Sequence, residues 1–398
     1  VGGYTLTKTN VNTVCLVGAT VVNPGNVNVQ QGIFSLETGT VLGGGAANTM
    51  TVQGGATLQF YQLAMPSAWT LALNSNATVY ANQGSGTQNT WAGPVILGGG
   101  PATLSCAQVL SISGAITGTG PLVKAGASSA TLTGESTYGG GTVVSAGTLQ
   151  LGNGTTSNGS VAGDITNSAT VIFANPSEQS YDGAISGAGI LVKQNNGTLT
   201  LSGNSSYTGE TQLKAGIVNV ATLANYGMSC ALGARTLALE TAAGTIGLHF
   251  MGGTLQYTGA TPQSTDRMLR LLGSATGVTN TIHASGTGEG TLSFTAGGKN
   301  TNFWDTAGKR TLQLTGSNEG DNTFAINIQD HSATTLIKGG PGKWLVTNTH
   351  NGDPVSTLNA TYGGYTGGTL IGGGWLAFAT NALGSTGLIT MSASSVLE

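Results

Sequence analysis

The sequence repeats itself at an offset of 69 residues. Residues 114–124 read GAITGTGPLVK and residues 183–193 read GAISGAGILVK, and the two copies stay in register as far as Gly147 and Gly216. A third, looser copy runs from Lys338 to Tyr365. The gap between its Lys and its Tyr is longer than in the first two copies, which indicates an insertion at 348–360. Repeats of this length predict a chain that stacks unit on unit instead of closing around one core.

The composition favours an ordered all-β protein with an uncharged surface. Gly accounts for 67 of 398 residues and charged residues for only 7%, against roughly 25% charged in ordinary soluble domains. Hydrophobic residues make up 39% and recur at every second position, which is the strand period and argues against disorder. The net charge is −3 without a run of Lys or Arg, so the electrostatic patch for nucleic-acid binding is missing. No apolar stretch approaches the ~20 residues of a membrane span, and no membrane insertion is expected.

Short strands separated by glycine-rich turns are predicted along most of the chain. Thr-Leu-Gln followed by an apolar or aromatic residue occurs four times, at residues 57–60, 148–151, 254–257 and 311–314. In a strand, the Leu and the last residue face one side while Thr and Gln face the other, which predicts a sheet buried on one face. Gly-Gly and Asn-Gly pairs between these runs supply the positive φ of tight turns.

The repeat length decides between a string of sandwich domains and a solenoid. A sandwich needs ~100 residues, whereas the unit has 69, which divides into three coils of about 20–25 residues each. We therefore predict an all-β fold, a right-handed parallel β-helix of roughly 17–20 turns and about 80–95 Å in length. One short helix is expected, at residues 266–272.

Four segments of this β-helix differ in how closely they follow the repeat. They are a diverged N-terminal segment (1–112), two close repeats (113–220), an irregular segment that includes the short helix (221–325), and the third copy with its insertion and the start of a further turn (326–398).

Sixteen Gly, Lys and Tyr positions define the repeat. They are Gly118, Gly120, Lys124, Tyr138, Gly140 and Gly147 in the first copy, Gly187, Gly189, Lys193, Tyr207, Gly209 and Gly216 in the second, and Lys338, Tyr365, Gly367 and Gly374 in the third. Together with the Leu-Thr-Leu-Ser-Gly strand at 199–203, they resemble the autotransporter-associated β-strand repeat, also called the passenger-associated transport repeat, of bacterial surface proteins. The resemblance implies a β-helical passenger exported to the cell surface, but it indicates little about the activity of the protein. The chain is then expected to be a processed product, a fragment, or a member of a class that is anchored differently.

Two roles are open for the repeat lysines Lys124, Lys193 and Lys338. They could line a face that binds an anionic glycan, or they could extend an apolar stem and cap carbonyl groups at a corner. Their wide spacing favours the second role. The repeat tyrosines are expected to cover the end of a core layer rather than to stack on sugar rings.

The five tryptophans are the other candidates for sugar binding. An aromatic stack inside the β-helix is the more common arrangement, and exposed binding positions are the alternative. The residues are Trp69, Trp91, Trp304, Trp344 and Trp375.

Glu319, Asp321 and Asp330, with Arg310 nearby, are the one group that fits polysaccharide cleavage. Paired carboxylates on neighbouring turns can serve a glycosidase or bind Ca²⁺. A solvated turn is the simpler interpretation, because Glu319 and Asp321 belong to a Glu-Gly-Asp-Asn sequence. No catalytic residue is therefore assigned.

The insertion at 348–360 is the candidate binding loop, with Asn351, Asp353 and Asn359 as its recognition residues. Loops that project from a rigid scaffold often carry recognition. The loop is accordingly the segment of the chain in which a specific contact is most expected.

The cysteines and histidines form no metal-binding pattern. Cys15, Cys106 and Cys230 lie far apart in the sequence, and so do the four histidines, unlike the closely spaced ligands of zinc sites. The cysteines are expected to be small buried side chains. Neither a metal nor a cofactor is predicted.

The leading interpretation is a non-enzymatic, extracellular structural or adhesive β-helix of the bacterial surface. Its terminal turns would expose unpaired backbone groups, which favours head-to-tail self-association, and heterologous contacts of this kind give open filaments. The expected partners are other copies of the chain or a cell-surface glycan or protein. The alternatives are a β-helical polysaccharide lyase or hydrolase and a glycan-binding module.

Overall fold

Alternating inward apolar and outward polar side chains organise the backbone throughout. The computed structural model describes residues 4–22, 24–44, 48–65, 69–82, 88–243, 246–274, 277–295, 308–328, 333–347, 365–379, 382–383 and 388–398. These residues are almost entirely parallel β-structure, arranged as a β-solenoid of about 16 turns. The predicted β-helix is confirmed, with fewer turns than the roughly 17–20 expected from coils of about 20–25 residues.

The strands up to residue 186 are Leu6–Lys8 (β1), Thr13–Leu16 (β2), Thr20–Val21 (β3), Val27–Val29 (β4), Ile33–Glu37 (β5), Val41–Leu42 (β6), Thr49–Val52 (β7), Thr57–Tyr61 (β8), Ala64–Met65 (β9), Thr70–Leu73 (β10), Thr78–Ala81 (β11), Asn89–Trp91 (β12), Val95–Leu97 (β13), Ala102–Cys106 (β14), Leu110–Ile112 (β15), Ile116–Gly118 (β16), Leu122–Ala125 (β17), Ser129–Leu132 (β18), Thr142–Val144 (β19), Thr148–Leu151 (β20), Ile165–Asn167 (β21), Thr170–Phe173 (β22), Gln179–Tyr181 (β23) and Ile185–Ser186 (β24).

The remaining elements are Ile190–Lys193 (β25), Thr198–Leu201 (β26), Thr211–Leu213 (β27), Ile217–Val220 (β28), the helix Leu237–Ala243 (α1), Leu248–Phe250 (β29), Thr254–Tyr257 (β30), Gln263–Thr265 (β31), Leu269–Leu271 (β32), Val278–Ala284 (β33), Leu292–Phe294 (β34), Arg310–Thr315 (β35), Asn322–Phe324 (β36), Thr334–Lys338 (β37), Lys343–Val346 (β38), Thr369–Ile371 (β39), Gly374–Phe378 (β40), Ile389–Met391 (β41) and Ser395–Leu397 (β42).

The chain divides into two compact units. Unit 1 comprises Val1–Ser177 and Gly183–Ile190, and unit 2 comprises Glu178–Asp182 and Leu191–Glu398. The four repeat-based segments, with boundaries at residues 112, 220 and 325, stay a prediction.

In unit 1, successive turns place their strands in parallel sheets. The strand orders are β1-β4-β7-β10-β13-β16, β2-β5-β8-β11-β14-β17-β19-β21-β24 and β9-β12-β15-β18-β20-β22, with a short β3-β6 pair. Equivalent residues of neighbouring turns lie side by side, so that the buried Leu58 is flanked by Phe34 and Val79.

Unit 2 is built in the same way. Its strand orders are β25-β27-β29-β32, β23-β26-β28-β30-β33-β35-β37-β39-β41 and β31-β34-β36-β38-β40-β42. Some turns are longer here, which lowers the number of turns. In unit 1 one full turn leads from Thr57 to its strand partner Thr78, whereas in unit 2 the longer stretch from Thr279 to its partner Thr311 makes one turn.

The four Thr-Leu-Gln segments confirm the predicted inward and outward faces. In β8, β20, β30 and β35 the Leu and the residue two positions later are buried, while Thr and Gln are partly exposed. The core of each unit is therefore the stack of these inward side chains, and the sheets present mainly uncharged polar side chains outward.

The helix prediction was wrong in position. The one helix among the described residues is α1, whereas residues 266–272 contain strand β32. Arg267 of this segment links it to another part of the chain, because its guanidinium group is buried and donates hydrogen bonds of 2.6 Å to the carbonyl oxygens of Leu232 and Gly233. These bonds hold the segment that precedes α1. Nowhere in the described ranges does a helix have the length and apolarity of a membrane span.

Leu149→Ala is expected to lower the free energy of unfolding by about 2–5 kcal/mol, because Leu149 is fully buried and its truncation leaves a cavity. Thr148→Ala is the matched control, since it shortens an adjacent outward side chain and should change this free energy by at most ~0.5 kcal/mol. Urea denaturation followed by circular dichroism measures both. Equal losses would contradict the assignment of the two faces.

Candidate functional site

Four lysines end strands on the inner face of the solenoid. Lys8, Lys124, Lys193 and Lys338 end or nearly end β1, β17, β25 and β37, and their exposed fractions are 5%, 0%, 2% and 0%. Taking an ammonium group out of water costs several kcal/mol unless charge-stabilising contacts replace the water. Contacts inside the wall must therefore replace the water that each ammonium group loses.

Three backbone carbonyl groups replace this water as hydrogen-bond acceptors. Lys124 Nζ donates hydrogen bonds to the carbonyl oxygens of Ala125 (2.8 Å), Gly126 (2.9 Å) and Ala146 (3.0 Å), the last of which belongs to the next turn. The other three lysines repeat this geometry. Their acceptors are Thr9, Asn10 and Gln31 for Lys8, Gln194, Asn195 and Ala215 for Lys193, and Gly339, Gly340 and Gly373 for Lys338.

Three acceptors match the three N–H groups of an ammonium ion. Burial lowers the pKa of Lys193 and of Lys338 to about 8, and it also lowers the pKa of Lys124. Because a pKa near 8 lies above neutral pH, Lys193 and Lys338 remain mainly protonated at pH 7 and keep all three donors. The repeat lysines are thus corner caps, and their ammonium groups are directed away from any external anion.

A left-handed backbone residue on each of the two turns directs these carbonyl groups inward. Gly126, two residues after Lys124, has φ of 76°, and Gly147, which follows the acceptor Ala146, has φ of 67°. A Cβ atom on Gly147 would lie 2.4 Å from the Gly126 oxygen and 2.5 Å from the Ser128 oxygen. Glycine at this position therefore lets successive corners stack in direct backbone contact.

The other lysine corners have the same pair of left-handed residues. The pairs are Asn10 and Gly32, Asn195 and Gly216, and Gly340 and Gly374. Six further repeat glycines also lie against atoms of the preceding turn. They are Gly118, Gly120, Gly140, Gly187, Gly189 and Gly367.

Sequence reasoning missed Lys8, because residues 1–112 contain no close copy of the repeat. The available signal is an inward Lys followed two residues later by Gly or Asn, as in Lys8-Thr9-Asn10. The tripeptide alone is insufficient. Lys214 also begins a Lys-Ala-Gly sequence, yet it is exposed because it follows the inward Leu213 directly.

The repeat tyrosines are buried and paired with threonine. The distance from the Tyr hydroxyl to the Thr hydroxyl four residues later is 2.6 Å for Tyr138 and Tyr207 and 2.7 Å for Tyr365. Burial raises the pKa of Tyr138 and of Tyr207 well above the usual range, so both hydroxyls stay neutral. These rings lie inside the wall and do not offer a surface for sugar stacking.

Three of the tryptophans lie inside the wall and one lies outside. Trp69, Trp91 and Trp344 are at most 1% exposed, whereas Trp375 is 49% exposed. Trp91 stacks on Phe60 with ring centroids 5.8 Å apart. Trp304 falls outside the described residues. The expectation of an internal aromatic stack therefore does not extend to Trp375.

Arg310 does not share the surface on which the acidic residue Asp321 lies. Arg310 is 1% exposed and lies within β35, while Asp321 is on the surface, where its Oδ1 is 3.0 Å from Lys343 Nζ. Asp330 lies outside the described residues, as do the candidate loop residues Asn351, Asp353 and Asn359.

The three cysteines are free thiols, and two are buried as expected. Cys106 and Cys230 are buried, but Cys15 is exposed, so the prediction was wrong for Cys15. The reason is its position in β2, which has only β5 as a neighbour among the described strands. Burial raises the pKa of the Cys106 thiol to about 11, which keeps it protonated.

Comparisons with known proteins give the same picture as the geometry. The passenger-associated-transport-repeat family model matches residues 122–151 and 191–220, and each match contains one corner lysine, Lys124 or Lys193. A curated protein, "Adhesin BmaC autotransporter" of Brucella suis biovar 1 (strain 1330), is 32% identical over 311 residues. The aligned region covers 69% of this chain but only 9% of that protein. No solved structure matches the chain.

A stack of parallel β-turns with recurring lysine-capped corners is a solenoid repeat protein. The chain carries the passenger-associated transport repeat of bacterial surface proteins, as its sequence predicted. Its location is extracellular, at the cell surface.

Lys124→Met is expected to lower the free energy of unfolding by about 1–3 kcal/mol, because it keeps the apolar stem but removes the donor to three partly buried carbonyl groups. Lys214→Met is the matched control, since it changes the same Lys-Ala-Gly sequence at an exposed position and should leave stability essentially unchanged. Thermal unfolding of the two variants in parallel measures the difference. If Lys124→Met unfolds with the native midpoint, the corner-cap role is disproved.

Proposed function

We propose that the chain is an adhesive segment of a bacterial surface protein, which contacts a cell-surface glycan or protein through the outward faces of its sheets. The observation that carries this proposal is the similarity over 311 residues to a protein named as an adhesin. The chain spans 9% of that protein, so adhesion by this segment is an inference from its relative.

The outward faces suit such a contact. They carry Thr, Ser, Asn and Gln on strands whose inward residues are buried, and only 7% of all residues are charged. Partly exposed hydroxyl and amide groups can donate and accept hydrogen bonds to another surface. Rigid strands hold these groups in fixed rows, which reduces the entropy lost on binding.

Polysaccharide cleavage by this chain has weaker support. The group expected from the sequence combined Glu319 and Asp321 with Arg310, and Arg310 is buried within β35 while Asp321 lies on the surface. We therefore propose a non-enzymatic passenger segment.

Display of the chain on a non-adherent bacterium is expected to raise the number of bacteria that attach to cultured epithelial cells several-fold. The carrier without the chain, displayed at the same level, is the control. Purified chain added as a competitor should reduce attachment, because it occupies the same receptors. Equal attachment with and without the chain would contradict the adhesive function.

Self-association is a second candidate, favoured by an apolar surface beside strands β1, β2 and β3. An apolar cavity of about 420 Å³ opens beside them, and Tyr4 and Val22 on its rim are 78% and 75% exposed. An exposed apolar surface can dock against another copy of the chain, and repeated docking of a heterologous kind gives a filament.

Sedimentation velocity over a concentration series tests this second candidate. The native chain is expected to form larger species as its concentration rises, and Leu6→Lys, at the 51%-exposed rim of the opening, should suppress them by burying an unpaired charge. Thr148→Lys on the side wall is the control. A sedimentation coefficient that is independent of concentration would contradict self-association.

A further inference from the structure

A pocket in the side wall of unit 2 combines an exposed indole ring with charged groups. Its volume is about 190 Å³, and it is lined by Glu319, Pro341, Lys343 and Trp375. Lys343 and Trp375 are opposite each other on the adjacent strands β38 and β40. The pocket is therefore built on paired strands, which position its residues firmly.

Trp375 is exposed along the side of the solenoid. The register places it between Lys343 on one side and Val396 of β42 on the other, so both neighbouring strands are present and still leave 49% of the residue exposed. The other tryptophans of the described ranges are at most 1% exposed. An exposed indole leaves a large apolar area in water, and such areas often mark binding sites.

The charged groups of the pocket form a network beside this ring. Lys343 Nζ lies 5.8 Å from the centroid of the Trp375 ring, 3.0 Å from Asp321 Oδ1 and 3.7 Å from Glu398 Oε2. Glu319 contributes a further carboxylate to the lining. An apolar ring is thus next to an ammonium donor and to several carboxylate acceptors.

This combination fits one sugar ring. The C–H face of a pyranose can pack against the negative face of an indole, while its hydroxyl groups accept hydrogen bonds from the ammonium group and donate them to carboxylates. The volume is smaller than the roughly 300–1,000 Å³ of sites for drug-sized ligands. One ring therefore fills the pocket, and the rest of a glycan lies outside it.

The balance of charge selects the kind of sugar. The single ammonium group of Lys343 lies beside the carboxylates of Asp321 and Glu398, and the acidic residue Glu319 also lines the pocket. A uronic or sialic acid would bring another negative charge to this cluster and be repelled. We propose that the Trp375 pocket binds a neutral pyranose unit of a cell-surface glycan, an inference that rests on the adhesive function proposed above.

Isothermal titration calorimetry of the purified chain tests this inference directly. The probes are neutral gluco-, manno- and galacto-oligosaccharides, with oligogalacturonate as the acidic comparison. We expect at least one neutral series to bind and oligogalacturonate to bind more weakly. Trp375→Ala should weaken binding of the neutral ligand about tenfold or more, as truncation of a central aromatic anchor does.

Phe378→Ala is the matched control, because Phe378 is an exposed aromatic residue of the same strand that does not line the pocket. It should bind the neutral ligand like the native chain, and unchanged circular dichroism should show that both variants fold. The proposal is overturned if no neutral oligosaccharide binds, if the acidic probe binds more tightly, or if Trp375→Ala binds as well as Phe378→Ala.

The attachment assay separates this proposal from the adhesive function. Attachment that is equal for the native chain and for Trp375→Ala overturns the pocket as the receptor site and leaves adhesion intact. Neutral-sugar binding by a chain that confers no attachment overturns adhesion and leaves the pocket intact.

Discussion

The fold depends on satisfying the backbone carbonyl groups at the corners of its turns. Parallel strands pair their own N–H and C=O groups, but a corner in the left-handed conformation directs carbonyl groups into the wall, where they are partly shielded from water. At four corners a lysine ammonium group supplies the missing donors. The charge-assisted hydrogen bonds offset the desolvation of the lysine. The glycine of the next turn lets that turn pack close enough for the ammonium group to reach its carbonyl group. The lysine and the glycine therefore act together at each corner.

The fold could be predicted because its main determinant is local. The alternation in each Thr-Leu-Gln segment fixes which side chains face inward, and the repeat then fixes how the segments stack. The helix prediction failed because the contacts that determine the structure of this segment are not local. Arg267 stands close to other charges in the sequence, but its hydrogen-bond acceptors lie 34 and 35 residues away, and no pattern around Arg267 indicates them.

The candidate pocket was harder to predict than the fold. Trp344 lies in the sequence Lys-Trp-Leu-Val, where the polar Lys343 makes the alternation readable. Trp375 begins the run Trp-Leu-Ala-Phe, which is apolar throughout and leaves its direction open. Only the register with β38 and β42 shows that Trp375 faces outward. The partners of Lys343 are likewise on other turns, so the sequence shows the residues of the pocket but not their convergence.

The reach of the corner lysines also has a consequence for how the chain can acquire its structure. Each ammonium group bonds only to its own corner and to the next, between 22 and 35 residues later along the chain. A turn can therefore form as soon as the following one is available, without waiting for distant segments, and a finished turn offers its open edge as a template for the next.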